Sequence, residues 1–295
     1  MSSKRRAAAL ALALAAALAT TSARAQDPSS LPGSSTSGAA VGSFGTAGSR
    51  PYWEAGRPRA FLSSILELGI FYYRPSLAVG YGEPHRRWVG VETQARMTAG
   101  SGSEYVGLRA AIPEVDLRVG GRYQLATNQS YLERDTAYDD EETEFDDAPN
   151  SRYITLEAEL ATAIPVGDGA IFGLFSAYHV LGVPDEYDLL EDQMNVAMRP
   201  PWLLRARGGY LHAFGVDGGL RIGAAVEILH NPERDLNVLR AGPQLGVTLT
   251  HHLEASVSIM AALLSPDDLD LAGTEIGQFG FRYRWATGDP FPEFP

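Results

Sequence analysis

A strict two-residue alternation constrains this chain more than any other feature. Between Glu114 and Leu125, Val115, Leu117, Val119, Tyr123 and Leu125 share one parity with Gly121. Asp116, Arg118, Arg122 and Gln124 share the other with Gly120. Successive side chains of a strand point to opposite faces, so such a run is a strand with one apolar and one charged face. The pattern returns at 219–230, where Leu220, Ile222, Ala224, Val226 and Ile228 oppose Arg221, Gly223, Ala225 and Glu227. It returns at 253–263 and again at the end, where Phe279, Phe281, Tyr283 and Trp285 oppose Gln278, Gly280, Arg282 and Arg284. Four runs of one design predict an all-β domain.

The same rule gives strands at about 60–73, 75–82, 86–98, 103–112, 114–125, 151–164, 170–182, 201–213, 219–230, 238–250, 253–264 and 276–287. That makes twelve, with ten as the alternative, because Arg74-Pro75-Ser76 is a thin turn and the second run is short. Pro243 falls inside one run and removes a ladder hydrogen bond there, which predicts a bulge. The connectors alternate in length: 126–150 long, 165–169 short, 183–200 long, 214–218 short, 231–237 medium, 251–252 short, 265–275 medium.

The N-terminus carries a different signal. Lys4, Arg5 and Arg6 precede an Ala/Leu-rich run ending in Ala23-Arg24-Ala25, the pattern of a cleavable export signal over 1–25. Residues 26–59 are rich in Ser, Gly, Ala and Pro without periodicity, which predicts a disordered periplasmic leader. A barrel domain then spans 60–287 and a tail 288–295. Cysteine is absent, which excludes disulfides, thiolate metal sites and lipidated cysteine. No apolar stretch of helical membrane length follows the signal. A net charge of −12 argues against nucleic acid as a partner.

Lys4 is the one lysine of the chain, so the charged strand face is arginine and glutamate interleaved with glycine and serine. A soluble β-sandwich would carry its charge outside and draw on lysine. Arginine forks paired with carboxylates suit a crowded interior instead. Strand pattern, connector alternation and the aromatic last strand Phe279–Trp285 resemble the outer-membrane β-barrel family over about 60–287, without matching a particular member. The C-terminus departs from that family, since Phe294 is penultimate and the chain ends in Pro295. The resemblance implies an antiparallel transmembrane barrel in the outer membrane of a Gram-negative bacterium, with both termini in the periplasm. It also implies lipid bilayer and lipopolysaccharide as surroundings, with small solutes or envelope proteins as further partners.

Parity assigns to the lumen Glu92, Arg96, Arg109, Asp116, Arg118, Arg122, Glu157, Glu159, Arg205, Arg207, Arg221, Glu227, Arg240, Glu254, Arg282 and Arg284. It assigns to the aromatic girdle Tyr72, Tyr123, Trp202, Phe279, Phe281, Tyr283 and Trp285. An Arg-rich wall favours small polar or anionic solutes, so the expected function is a porin-like channel. A closed structural barrel, or a component of an envelope or secretion complex, is the alternative. Residues 126–150 hold nine carboxylates from Glu133 to Asp147 without the ligand order of a calcium loop, and read as a solvated acidic loop. In 183–199, the spacing of Tyr187, Leu190 and Met194 reads equally as a short helix or an ordered turn. The histidines (His85, His179, His212, His230, His251, His252) lack a compact nucleophile signature, so no enzyme, cofactor or metal is expected.

Overall fold

The structure is a computed structural model describing residues 58–69, 72–139, 149–191, 193–214, 219–250, 252–269 and 280–288, with the side chains of 127–129 left out. The expected signal peptide, nearly all of the leader, Phe279, His251, residues 140–148 of the acidic loop and the tail from 289 lie outside the described residues.

The strands are β1 (Arg59–Gly69), β2 (Tyr72–Glu83), β3 (Arg87–Thr98), β4 (Ser101–Ile112), β5 (Val115–Ser130), β6 (Leu132–Glu133), β7 (Asn150–Val166), β8 (Gly169–Leu181), β9 (Tyr187–Glu191), β10 (Val196–Met198), β11 (Trp202–Phe214), β12 (Leu220–Asn231), β13 (Leu236–Thr248), β14 (Leu253–Ser258), β15 (Ala261–Leu264) and β16 (Gly280–Ala286). All but β6, β9 and β10 form one antiparallel sheet whose strands follow chain order, with β14 and β15 both paired to β13 and β14 paired to β16. The first strand pairs with the last over Ser63–Gly69 and Gly280–Ala286, so the sheet closes. β14 and β15 are two halves of one stave, which makes a barrel of twelve. Closure leaves no open edge, so the wall's backbone groups bond within the wall.

The connections at one end of the barrel are short: 84–86, 113–114, 167–168, 215–219 and 249–252. Those at the other end include the long ones, 131–149, 182–201 and 265–279. β1 begins and β16 finishes at the short-turn end.

Three expectations need correction. The first turn lies at 70–71, not at Arg74-Pro75-Ser76, and β2 runs through Pro75. Pro75 stays in register with Leu66 of β1, while the ladder to β3 passes from Tyr73 directly to Ser76. Pro243 behaves the same way. It pairs with Ala224 of β12, and on its other side the stave is broken between β14 and β15, at Ile259 and Met260. A strand accommodates proline where the missing N–H faces a gap in the ladder. The register is the same on both sides of Pro243, so the expected bulge is not there, and the one register shift of this strand lies between Leu239 and Arg240. Thirdly, 183–199 is no helix: β9 and β10 form a hairpin that β6 extends to a three-stranded sheet. Leu189, Val196, Ala197 and Met198 are all buried, so this segment is enclosed on both faces and its backbone bonds across strands.

Glycine is required in the wall where β4 and β5 meet. Gly107 and Gly120 are register partners, and the Tyr105 ring lies flat over both. A Cβ on Gly107 would stand 2.0 Å from Tyr105 Oη, and one on Gly120 2.6 Å from it.

On the outer wall Leu108 is 66% exposed. Leu108→Arg is expected to cost about 2–4 kcal/mol in equilibrium unfolding from bilayers, as for a lipid-facing position near the midplane. A cost below about 0.5 kcal/mol, ordinary for a water-exposed site, would contradict lipid contact.

Candidate functional site

The interior is layered. At the short-turn end Phe61, Ala78, Trp88 and Ala111 form a buried apolar floor, with the Phe61 and Trp88 rings edge to face at 5.4 Å. Phe172, Leu211, Ala225 and Met260 continue it around the wall. Every one of these residues stands on the parity opposite the exposed leucines and valines, so the floor is made by the same alternation as the wall.

Above the floor lies a belt of charge. Arg109 holds Asp116 with two guanidinium nitrogens, at 2.8 and 3.1 Å, and also donates to Glu92. Arg122 grips Glu157 in a fork at 2.5 and 3.1 Å. Arg205 donates to Glu227 at 2.6 Å, with Arg240 and Arg207 at 3.5 and 3.7 Å from the same carboxylate. Glu254 meets Arg221 and, at 3.2 Å, Arg284. Arg118 lies 3.5 Å from Glu92 and stacks its guanidinium 3.7 Å from the centre of the Tyr105 ring. Glu159 is buried 3.5 Å from Ser176 Oγ, and half-buried Arg96 lies over the Tyr72 ring. Of the sixteen residues of the parity reading, fifteen are buried and Arg96 is half-buried.

The parity reading missed Glu67 and Arg74. Arg74 Nε donates to Glu67 at 2.5 Å, and Arg282 donates to the same carboxylate. Apolar residues 70–73 concealed the turn between β1 and β2, and with the turn misplaced the two partners could not be aligned. Buried Tyr105, Gln94 and Gln244 were also missed. In the belt, arginines outnumber carboxylates, although the chain as a whole is acidic.

The third layer is a cap at the loop end. Tyr131, Tyr153, Tyr178, Val180, Leu189, Met194, Val196, Met198, Leu203, Leu229, Leu236 and Val238 form one buried cluster, in which the β9–β10 hairpin fills the barrel mouth. Arg240 reaches up from the belt and donates to the carbonyls of Met194 and Asn195, at 2.5 and 2.7 Å. The Asn231 amide accepts from Arg199 N and donates to the Arg199 and Trp202 carbonyls, tying the hairpin to the rim. Above it, Arg234 pairs with Asp267 at 2.6 Å, and Asp267 accepts from Tyr138 N. Burial raises the Tyr138 phenol pKa and its bond to Asp188 adds to the rise, so the phenol remains a donor.

Outside, the polarity reverses. Leu77, Val79, Val91, Val106, Leu108, Val119, Leu156, Phe175 and Ile222 are exposed from strand to strand around the wall, while the charges lie within. Apolar surface of that extent belongs in lipid, not in water. The chain is a closed β-barrel built to span a membrane. In this barrel Tyr123, Trp202 and Phe281 are exposed, and Tyr283 and Trp285 are half-buried on the outward parity. Tyr72 departs from the girdle expectation. With the turn at 70–71 it takes the inward parity, and Arg74 lies 5.1 Å from its ring. His179 stacks on Trp202 at the outer wall, 4.4 Å between centres.

No known family and no characterised protein matches the sequence. Among solved structures the barrel is similar to the KdgM porin, with 8% identity, a TM-score of 0.36, and 77% of this chain and 97% of that one covered. It is similar also to the NanC porin, at 10% identity and TM-score 0.35 over 77% and 98%. A third is OmpT, an outer membrane protein of Vibrio cholerae, at 8% and 0.31 over 79% and 100%.

Two outcomes follow from the interior. Glu157→Gln leaves the buried Arg122 guanidinium without its counter-charge and is expected to cost about 3–5 kcal/mol in unfolding; a cost under about 1 kcal/mol would show a belt already solvated. In the short turn 84–86, burial, reinforced by the nearby Arg284 charge, holds His85 down at about 3. The unfolded chain takes up that proton near its ordinary 6.5, so stability contributed by neutral His85 is complete above that pH and is lost as pH falls from about 6.5 toward 3. His85→Asn, which tolerates the positive φ of 58°, should flatten unfolding free energy against pH across that window. An unchanged slope would assign the acid sensitivity elsewhere.

Proposed function

We propose that this porin-like barrel passes small polar or anionic solutes through its Arg-rich lumen, and that the conformation described is the shut state. The observation that carries the reading is the belt, a ring of inward arginines in excess over carboxylates within an otherwise acidic chain. Fixed positive charge in a narrow low-dielectric bore concentrates anions and repels cations. The loop end, carrying the long connections, faces the cell exterior, and the leader and both ends of the barrel domain lie in the periplasm. The outer leaflet's lipopolysaccharide surrounds the upper girdle, and an envelope protein would meet the loops.

A specific observation favours a second reading. Apolar clusters close both ends of the lumen, the Phe61–Trp88 floor and the β9–β10 cap. A barrel sealed twice over can serve as a scaffold in the envelope without conducting.

Planar bilayer recording separates the two. The intact protein is expected to show rare, brief steps. A variant with 187–198 replaced by a short Gly/Ser turn should show sustained anion-preferring steps, and Arg118→Gln with Arg122→Gln should reduce the preference. Silence of both the intact and the shortened barrel, each showing heat-modifiable mobility, would leave the scaffold reading.

A further inference from the structure

The cap is held over the mouth by two kinds of contact that respond differently to loss. Its apolar side chains bury against the upper wall, and besides the bonds that Arg240, Asn231 and Arg234 make to its backbone, one buried carboxylate gathers several of its polar contacts. Asp188, in β9, is fully buried. It accepts from Tyr138 Oη at 2.8 Å and from Arg199 Nε and Nη2 at 2.9 and 3.0 Å, with Arg134 Nε at 3.7 Å. Tyr138 and Arg134 belong to the connection after β5, and Arg199 closes the connection before β11. One side chain therefore ties the segment that fills the mouth to the segment lying across it. The Tyr138 hydroxyl is engaged from the far side too, where Asp135 N donates to it at 3.0 Å and the Glu133 carbonyl, at 2.9 Å, competes with Asp188 for its single proton.

We propose that Asp188 is the latch of an extracellular lid, a positioning residue whose hydrogen bonds set how often the lumen is open to solutes. This deepens the channel reading and rests on it. With the lid down, replacing the carboxylate removes the counter-charge of Arg199 and leaves three donors, from Tyr138 and Arg199, facing one amide oxygen and an NH₂ group where two accepting oxygens stood. With the lid up, both groups are hydrated and lose nothing. The substitution therefore penalises the shut state alone and shifts the population toward the open one, while the closed ladder of the wall is untouched. Asp267 holds Tyr138 N and Arg234, and Arg234 in turn donates to the Ala197 carbonyl of β10 at 2.8 Å, a separate attachment that does not pass through Asp188.

The chain has no cysteine, so Ser176→Cys places one thiol on the lumen face of β8. The test is its labelling rate by a small, membrane-impermeant anionic methanethiosulfonate added outside intact cells, which reads lid opening without requiring current. Asp188→Asn should speed labelling by on the order of tenfold or more and leave the temperature of heat-modifiable unfolding unchanged. Tyr138→Phe, a milder loss of one bond, should give a smaller rise, and Asp188→Glu should restore part of the protection. Asp185→Asn, at an exposed position beside the hairpin, should change nothing. Unchanged labelling in both Asp188→Asn and Tyr138→Phe overturns the latch. So does an equal rise in Asp185→Asn, or acceleration that appears only together with a lowered unfolding temperature. Rapid labelling in a protein that never conducts keeps the latch and removes the channel.

Discussion

Everything in this molecule depends on closure of the ladder between β1 and β16. In lipid an unpaired N–H or C=O costs several kcal/mol, and an open sheet of this width would present two rows of them. Once the first and last strands pair, the two faces of the sheet become an inside and an outside with nothing shared between them. The apolar parity meets acyl chains, and the charged parity must find all of its partners within the bore.

That requirement explains the composition of the belt. A guanidinium cannot be deprotonated, and a buried one is tolerable only beside a carboxylate and with its donors met. Arg109 with Asp116 and Arg122 with Glu157 meet the condition across neighbouring strands, where register brings side chains to bonding distance. Arg282 with Glu67 meets it across the closing seam, so the charge lattice helps to fasten the contact that closes the barrel. Glu227, shared among three arginines on β11 and β13, concentrates positive charge under the cap. The same excess that makes the lumen suited to anions gives Arg240 spare donors to hold the cap's carbonyls.

The cap shows how a polar wall supports an apolar plug. The β9–β10 hairpin carries the pairing of 189–191 with 196–198 into the mouth, Arg240 and Arg234 donate to its Met194, Asn195 and Ala197 carbonyls, and its leucine, valine and methionine side chains fill the space above the belt. Its attachments to the rim are hydrogen bonds to carbonyls and to one carboxylate. Such bonds can be exchanged for water when the hairpin lifts, while those of the wall cannot.

The alternation in 114–125 and its counterparts was enough to predict strands, faces, a twelve-stave barrel and the sixteen inward residues, because a two-residue period is a local property of the backbone. The break in the ladder beside Pro243 was legible for the same reason, since the missing N–H is written in the residue, but the bulge expected there was not found and the register shift lies at Leu239 and Arg240. Tertiary structure alone decided the rest. Where the chain turns between β1 and β2 depends on Glu67 meeting Arg74, and the apolar residues between them carry no local sign of it, so Tyr72 passed for a girdle residue. The spacing of Tyr187, Leu190 and Met194 suggested a helical turn, yet those side chains are placed by what encloses them. Which arginine meets which carboxylate is set by register between strands. Whether the bore is filled is set by a loop that returns to cover it. Parity along one strand contains neither quantity, since both are distances between residues far apart in the chain.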